Sequence, residues 1–168
     1  MTDRITSEEY IQALHDVHSL AIDKQQTVAT AESLTGGLIA AALTSLSDSS
    51  RYFKGGIVAY DIDAKVRLLH VSRIKAARCY CVSAKIARAM AIGAIEQFDS
   101  TCSIAVTGYA EPWSKGDDTY KAFAHYAVCC YGRWTAGRID LDGLGRNEAR
   151  QAVVRQTICV LAGRLKLL

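Results

Sequence analysis

Proline is nearly absent from the chain: Pro112 is the only one in 168 residues. No proline-, glycine- or serine-rich stretch and no internal repeat breaks the sequence, which excludes a linker, a low-complexity segment or a repeat array. A single domain over residues 1–168 is expected, long enough for one sizeable core and too short for two. Long apolar runs are missing as well, none approaching the roughly 20 residues that cross a bilayer, so no membrane partner is expected. The start of the chain, Met1 to Thr6, lacks a basic stretch followed by an apolar one; no secretory signal is read there, and a cytoplasmic location is expected. No C-x-x-C spacing has a matching second pair and the four histidines are scattered, which argues against a zinc site. The six cysteines sit in apolar or strand-like surroundings and are expected to be reduced, buried thiols; no metal and no cofactor is expected. The formal charge of +3 is spread along the chain, with no lysine or arginine block and no interleaved aromatics, so a nucleic-acid partner is not expected. Mild basicity of this kind suits a small anionic ligand.

Against these absences, half of the residues are hydrophobic, and they are patterned. Thr6-Ser7-Glu8-Glu9 has capping-box form, followed by Ile11, Leu14, His18, Ala21 and Ile22 at helical spacing. Residues 27–31 read as a buried strand, 36–46 as a helix of small residues, 56–60 as a second strand and 63–69 as a short helix. Residues 73–80 have no clear period and are left as a connection. Ser83 stands as the N-cap of a helix whose face is Ala87, Met90, Ala91, Ala94, Ile95 and Phe98. A strand over 103–106 precedes a polar loop over 109–120. Two β-runs, 122–131 and 134–141, flank Gly132-Arg133 as a hairpin, and Asn147 is placed to cap a closing helix. Five strands interleaved with helices, the last two antiparallel, imply an α/β fold: a three-layer α/β/α sandwich around a mixed, mostly five-stranded sheet.

Residues 31–37, AESLTGG, occupy the first junction between strand and helix. A hydroxyl beside unpaired helix-start amides makes an anion or oxyanion site, and Gly36 and Gly37 let a substrate approach the backbone. A purely structural use, with Ser33 or Thr35 capping the helix, is equally open at this point. No histidine has the context of a Ser-His-Asp triad, and a lysine is the other kind of base that activates a serine. Lys65, just past the second strand, stands where α/β proteins build sites, although a lysine there also serves as a carbonyl cap. Acting as a base would require burial or nearby positive charge to lower its proton affinity. Thr107-Gly108 ends the third strand and Gly145-Arg146 precedes the last helix; an arginine at such a rim suits a phosphate or carboxylate.

Taken in order, the motifs A-E-S-x-T-G-G, G-G-x-x-A-Y with a lysine five residues on, V-S with a following M-A-x-G-A helix, A-V-T-G and G-x-G-R resemble the carboxyl-terminal domain of the competence/damage-inducible CinA family. The resemblance runs from about Thr27 to the end, without the family's large amino-terminal domain, as in its stand-alone form. Stand-alone members are nicotinamide-nucleotide amidases, so the resemblance implies hydrolysis of nicotinamide mononucleotide to nicotinate mononucleotide and ammonia, with no metal or cofactor and a pyridine nucleotide as the small-molecule partner. It further implies Ser33 as nucleophile, Lys65 as its base, and Tyr60 and Thr107 assisting proton transfer or orientation. Glu32, Thr35, Gly36, Gly37 and Gly108 would line the ligand site, Glu32 fixing the turn or the lysine and not itself reacting, with Arg146 on the anionic part of the ligand.

One segment departs from the family pattern. Family members continue the Thr-Gly motif as A-G-P-x-G-G, whereas residues 107–128 here read TGYAEPWSKGDDTYKAFAHYAV. Glu111 takes the place of the glycine before the proline, and a carboxylate there repels an anionic ligand. Trp113, Lys115 and Lys121 offer side chains where the family uses backbone. The departure leaves a second reading open, a family member of weak or no activity that binds a nucleotide or a protein partner. The apolar strands leave homo-oligomerisation open too.

Overall fold

The structure, a computed structural model, describes residues 5–168, apart from the side chain of Lys115; residues 1–4, where the absence of a signal was read, lie outside it. Thr6 caps the first helix, α1 (Ser7–Asp23), in the expected capping box: the Glu9 amide donates to Thr6 Oγ1 at 3.2 Å and the Thr6 amide to Glu9 Oε2 at 2.7 Å. β1 (Val28–Glu32) follows, buried along its whole length as its apolar run requires. The chain continues through α2 (Leu38–Leu43), a short 3-10 turn (Ser49–Arg51), β2 (Phe53–Val58), α3 (Ile62–Leu69), α4 (Arg73–Arg78) and α5 (Ala84–Phe98). β3 (Cys102–Tyr109), β4 (Trp113–Lys115), β5 (Asp118–Tyr120), β6 (Phe123–Cys130), β7 (Arg133–Asp140) and α6 (Arg146–Lys166) complete it.

Five strands form one mixed sheet in the order β2-β1-β3-β6-β7, with β1 parallel to β2 and β3, and β6 antiparallel to β3 and β7. Alternate residues of the strands feed two cores. Val28, Ile104, Val106 and Val128 pack with Val17, Leu43, Val153 and Leu161 of α1, α2 and α6. Ala29, Ala31, Ala105 and Ala127 face Leu69, Ala87, Met90 and Ala94 on the α3–α5 side. The expected three-layer α/β/α arrangement is what forms. The second face is built from alanines, which lets α5 lie close to the sheet. Gly93 gives α5 an equally close approach to the end of α3, since a Cβ there would stand 2.4 Å from the Leu69 carbonyl oxygen. Gly93→Ala is therefore expected to cost about 1–3 kcal/mol through backbone displacement, read as a lower midpoint in chemical unfolding.

β2 starts and ends earlier than expected and β3 runs on to Tyr109, and four further segments differ. Residues 73–80 contain α4, capped by Ser72; at six residues with only Ala76 buried it is too short to show a period. The polar loop carries a small antiparallel ribbon, β4–β5, with Gly116 in the left-handed conformation at its turn and Trp113 stacked on Tyr120 at 4.5 Å between ring centroids. α2 ends at Leu43, where the Thr44 hydroxyl turns back on the Ala40 carbonyl. Gly145, not Asn147, is the cap of α6, and its amide donates to Glu148 Oε2 at 3.0 Å. Of the six free thiols, Cys102, Cys129 and Cys130 are buried as expected, while Cys79, Cys81 and Cys159 are only partly so. Among the described residues no helix is long and apolar enough to cross a membrane, and no cluster of three or more His, Cys, Asp or Glu is arranged to hold a metal ion.

Candidate active site

The end of β1 places Glu32 and Ser33 side by side, and alternation sends their side chains to opposite faces. Glu32 turns under the start of α2, where its carboxylate accepts from the amides of Gly37 (3.0 Å), Ile39 (3.1 Å) and Ala40 (2.8 Å). A six-residue helix without a side-chain cap of its own thus has its free amides and its dipole satisfied by a carboxylate that is 1% exposed. Reaching that geometry requires two consecutive left-handed residues, Gly36 (φ 60°) and Gly37 (φ 97°), which only glycine adopts without strain. Here the expectation needs correction. The amides of Gly36 and Gly37 are already taken, by the Ser33 carbonyl and by Glu32, and are not open to a ligand. Glu32 and Thr35 are buried beneath the turn and, like the two glycines, stay out of the cavity wall. Glu32 fixes the turn, one of the two uses expected of it, by supplying the anion for this helix start.

Ser33 faces the other way, toward α3. Asp61 caps that helix, its side chain accepting from the Ala64 amide, and the buried face of α3 carries Lys65 and Leu69 one turn apart. Lys65 is 1% exposed. Its Nζ lies 2.8 Å from the Ala59 carbonyl, 3.1 Å from the Tyr60 carbonyl and 3.1 Å from Ser33 Oγ. Burial lowers its proton affinity below that of a free lysine, while Cys81 and Asp61 act weakly in the other direction. In the neutral form, the two hydrogens of Nζ serve the two carbonyls and the lone pair is left for the Ser33 hydroxyl proton. The Ala59 amide donates to the Glu32 carbonyl at 2.8 Å, locking the strand end that carries both carbonyls to the one that carries the serine.

Ser33 and Lys65 open into a cavity of about 290 Å³, whose wall also includes Tyr60, Thr107, Gly108 and Arg146. Thr107 donates its hydroxyl to the Cys81 carbonyl at 2.7 Å. That turn needs holding, since Tyr80 (φ 49°) and Cys81 (φ 64°) are consecutive non-glycine residues in the left-handed region. Thr107 is accordingly a positioning residue in this geometry. Gly108 gives the close approach of β6, as a Cβ there would meet the Phe123 carbonyl oxygen at 2.3 Å. Tyr60 contributes its carbonyl to Lys65, while its ring is 61% exposed and its hydroxyl accepts from Arg146 at 3.1 Å. Arg146 also donates to Glu111 Oε2 at 2.7 Å.

Trp113 stands in the cavity wall, but sequence reasoning did not foresee Tyr80 and Tyr109, whose rings lie 5.5 and 5.1 Å from that of Trp113. Nor did it foresee Arg150, which donates from α6 to the Thr35 carbonyl at 2.9 Å and braces the turn behind Ser33. Lys121 pairs with Asp142 at 2.8 Å and does not reach the cavity wall; the Lys115 side chain lies outside the described residues.

A family model for the CinA C-terminal domain matches residues 11–165. The chain belongs to the CinA C-terminal domain family. CinA-like proteins are similar to it in sequence: that of Flavobacterium psychrophilum is 46% identical over 98 residues, covering 58% of this chain and 23% of the relative. That of Prochlorococcus marinus is 32% identical over 146 residues, covering 87% and 34%. This CinA domain therefore spans about a quarter to a third of the length of those relatives. Protein YdeJ of Escherichia coli is 36% identical over 124 residues, with 65% of this chain and 72% of that protein covered. A competence/damage-inducible protein from Agrobacterium tumefaciens has the same fold, with a TM-score of 0.85 at 31% identity and 94% and 96% of the two chains covered. A CinA superfamily protein from Klebsiella pneumoniae superposes with a TM-score of 0.86 at 26% identity, covering 95% and 99%.

Proposed function

We propose that this CinA domain is a serine amidohydrolase that cleaves the carboxamide of an N-ribosylated nicotinamide, nicotinamide mononucleotide being the substrate that the family resemblance implies. The observation that carries the reading is the buried Lys65 Nζ, held by two carbonyls and 3.1 Å from Ser33 Oγ at the edge of a cavity. Ser33 Oγ attacks the carboxamide carbon while its proton passes to Lys65 Nζ. The amide of Leu34, which follows the nucleophile and has no hydrogen bond among the described residues, would donate to the oxyanion. As the tetrahedral intermediate collapses, Lys65 returns the proton to the departing nitrogen, ammonia leaves, and an acyl ester remains on Ser33. Water then attacks the ester carbon, passing its proton through Lys65 to the Ser33 oxygen as the carboxylic acid is released. The sum is carboxamide plus water to acid plus ammonia.

Ammonia release from nicotinamide mononucleotide, followed across pH, tests the reading. Lys65 must be neutral to accept the proton, so kcat/KM is expected to rise with pH through an acid limb whose midpoint lies below the 10.5 of a free lysine. Lys65→Arg, whose guanidinium stays charged, is expected to lose activity at every pH. A flat profile together with an active Lys65→Arg protein would contradict a lysine base. Saturable nucleotide binding without turnover would favour a binding protein, the reading that the Glu111–Arg146 pair supports.

A further inference from the structure

Among the described side chains that line the cavity, Arg146 is the one cation besides Lys65, and it is already neutralised. Glu111 Oε2 stands 2.7 Å from one guanidinium nitrogen, and the Tyr60 hydroxyl 3.1 Å from the other. By the family resemblance Glu111 stands in place of a glycine, a residue that could not form this ion pair. Its second oxygen has no partner among the described residues. Lys121 offers no replacement charge, being paired with Asp142 away from the cavity.

We infer that Glu111 is a specificity-determining residue that closes Arg146 to phosphate, so that the site takes an aromatic carboxamide on a ribosyl group without phosphate in preference to the same carboxamide on a ribose phosphate. This rests on the amidase reading. A phosphate that reaches Arg146 must either displace Glu111, leaving its carboxylate beside a doubly charged group, or bind next to the intact pair against like-charge repulsion. Both side chains of the pair are about half exposed, and water screens the interaction. The discrimination expected is therefore moderate, about tenfold. Ribose hydroxyls meet no such conflict. They can donate to the open Glu111 oxygen while Arg146 keeps its partner. The pyridinium ring of an N-ribosyl nicotinamide is a cation; Glu111 and the aromatic rings of Tyr109 and Trp113 in the same wall favour it.

The test compares ammonia release from nicotinamide riboside and nicotinamide mononucleotide in the unaltered protein and in Glu111→Gln, which keeps the shape and removes the charge. The ratio of kcat/KM, riboside over mononucleotide, is expected to be about ten in the unaltered protein and to fall about tenfold in the variant, through the KM of the mononucleotide. A ratio that stays within twofold of its original value overturns the inference. Calorimetric titration with inorganic phosphate gives a readout without turnover. Glu111→Gln is expected to bind phosphate about tenfold more tightly than the unaltered protein, and adding Arg146→Ala is expected to abolish that gain. Equal phosphate affinity in the unaltered protein and Glu111→Gln also overturns it. If neither the riboside nor the mononucleotide is hydrolysed by any variant, the amidase reading fails, and the phosphate titration still decides the role of Glu111.

Discussion

Replacing Ser33 with alanine is expected to abolish ammonia release, by on the order of 10⁴-fold or more, while leaving the fold intact. The two halves of this expectation have separate causes. Catalytically, Ser33 Oγ is the hydroxyl 3.1 Å from the buried amine, and without it the acyl-enzyme step has no nucleophile. What remains is cavity binding and backbone stabilisation of direct attack by water, a small residue of the whole. Structurally, the hydroxyl's one side-chain partner among the described residues is Lys65, which keeps both of its carbonyls in the variant. A stability change within about 1 kcal/mol is therefore expected, measured by chemical unfolding of both proteins. Circular dichroism checks that the variant is folded. A folded Ser33→Ala protein that retains a tenth or more of the original rate would remove Ser33 as nucleophile, and with it the mechanism.

Glu32→Ala should have the opposite profile, a large loss of stability from a buried residue outside the cavity wall. The substitution strips three helix-start amides, one of them fully buried and two partly so, of their common acceptor. A charge-assisted hydrogen bond contributes about 1.5–3 kcal/mol, and each donor left unpaired costs a further share, so a loss of about 3–5 kcal/mol is expected. For a chain of this size that corresponds to a fall in melting temperature of roughly 10 °C or more. Glu32→Gln keeps one acceptor oxygen but turns an NH₂ group toward a backbone amide, and is expected to recover only part of the loss. A melting temperature unchanged in Glu32→Ala would mean that the start of α2 finds water or another acceptor. Activity should fall in parallel with the melt, because the turn under α2 also carries Ser33. Rescue of both by glutamine, in proportion, separates this positioning role from a direct part in the chemistry.

Much of the fold was legible because its determinants are local. The Thr6–Glu9 capping box, Ser83 as cap and the 3-and-4 spacing along α5 act within a turn or two of chain and appear in the structure as expected. Elements governed by few buried residues were not legible. α4 buries only Ala76, and β4–β5 is held by the Trp113–Tyr120 stack between strands of three residues each, so neither leaves a period to detect. Asn147 was expected to cap α6 on residue type alone, yet Gly145 takes that position with Glu148 closing back on its amide. Glu32 was expected among the ligand-site residues with a part in fixing the turn, and only the second is seen; its burial beneath α2 follows from alternation along a strand whose neighbouring side chain, Ser33, faces the cavity.

The sequence by itself determined the residue types at the strand ends, the alternation that gives the sheet two apolar faces, and the motif order that marks the CinA family. Only the tertiary structure decided which of those residues meet. Ser33 and Lys65 are 32 positions apart, and their proximity depends on β1 and β2 lying parallel, so that both strands end on the same side of the sheet. Arg146 and Glu111 are 35 apart, and become partners because α6 begins where the segment after β3 turns over the cavity. The neutral tendency of Lys65 likewise comes from tertiary burial, since removing a charge from water is a property of what surrounds it and no lysine carries that in its own sequence neighbourhood.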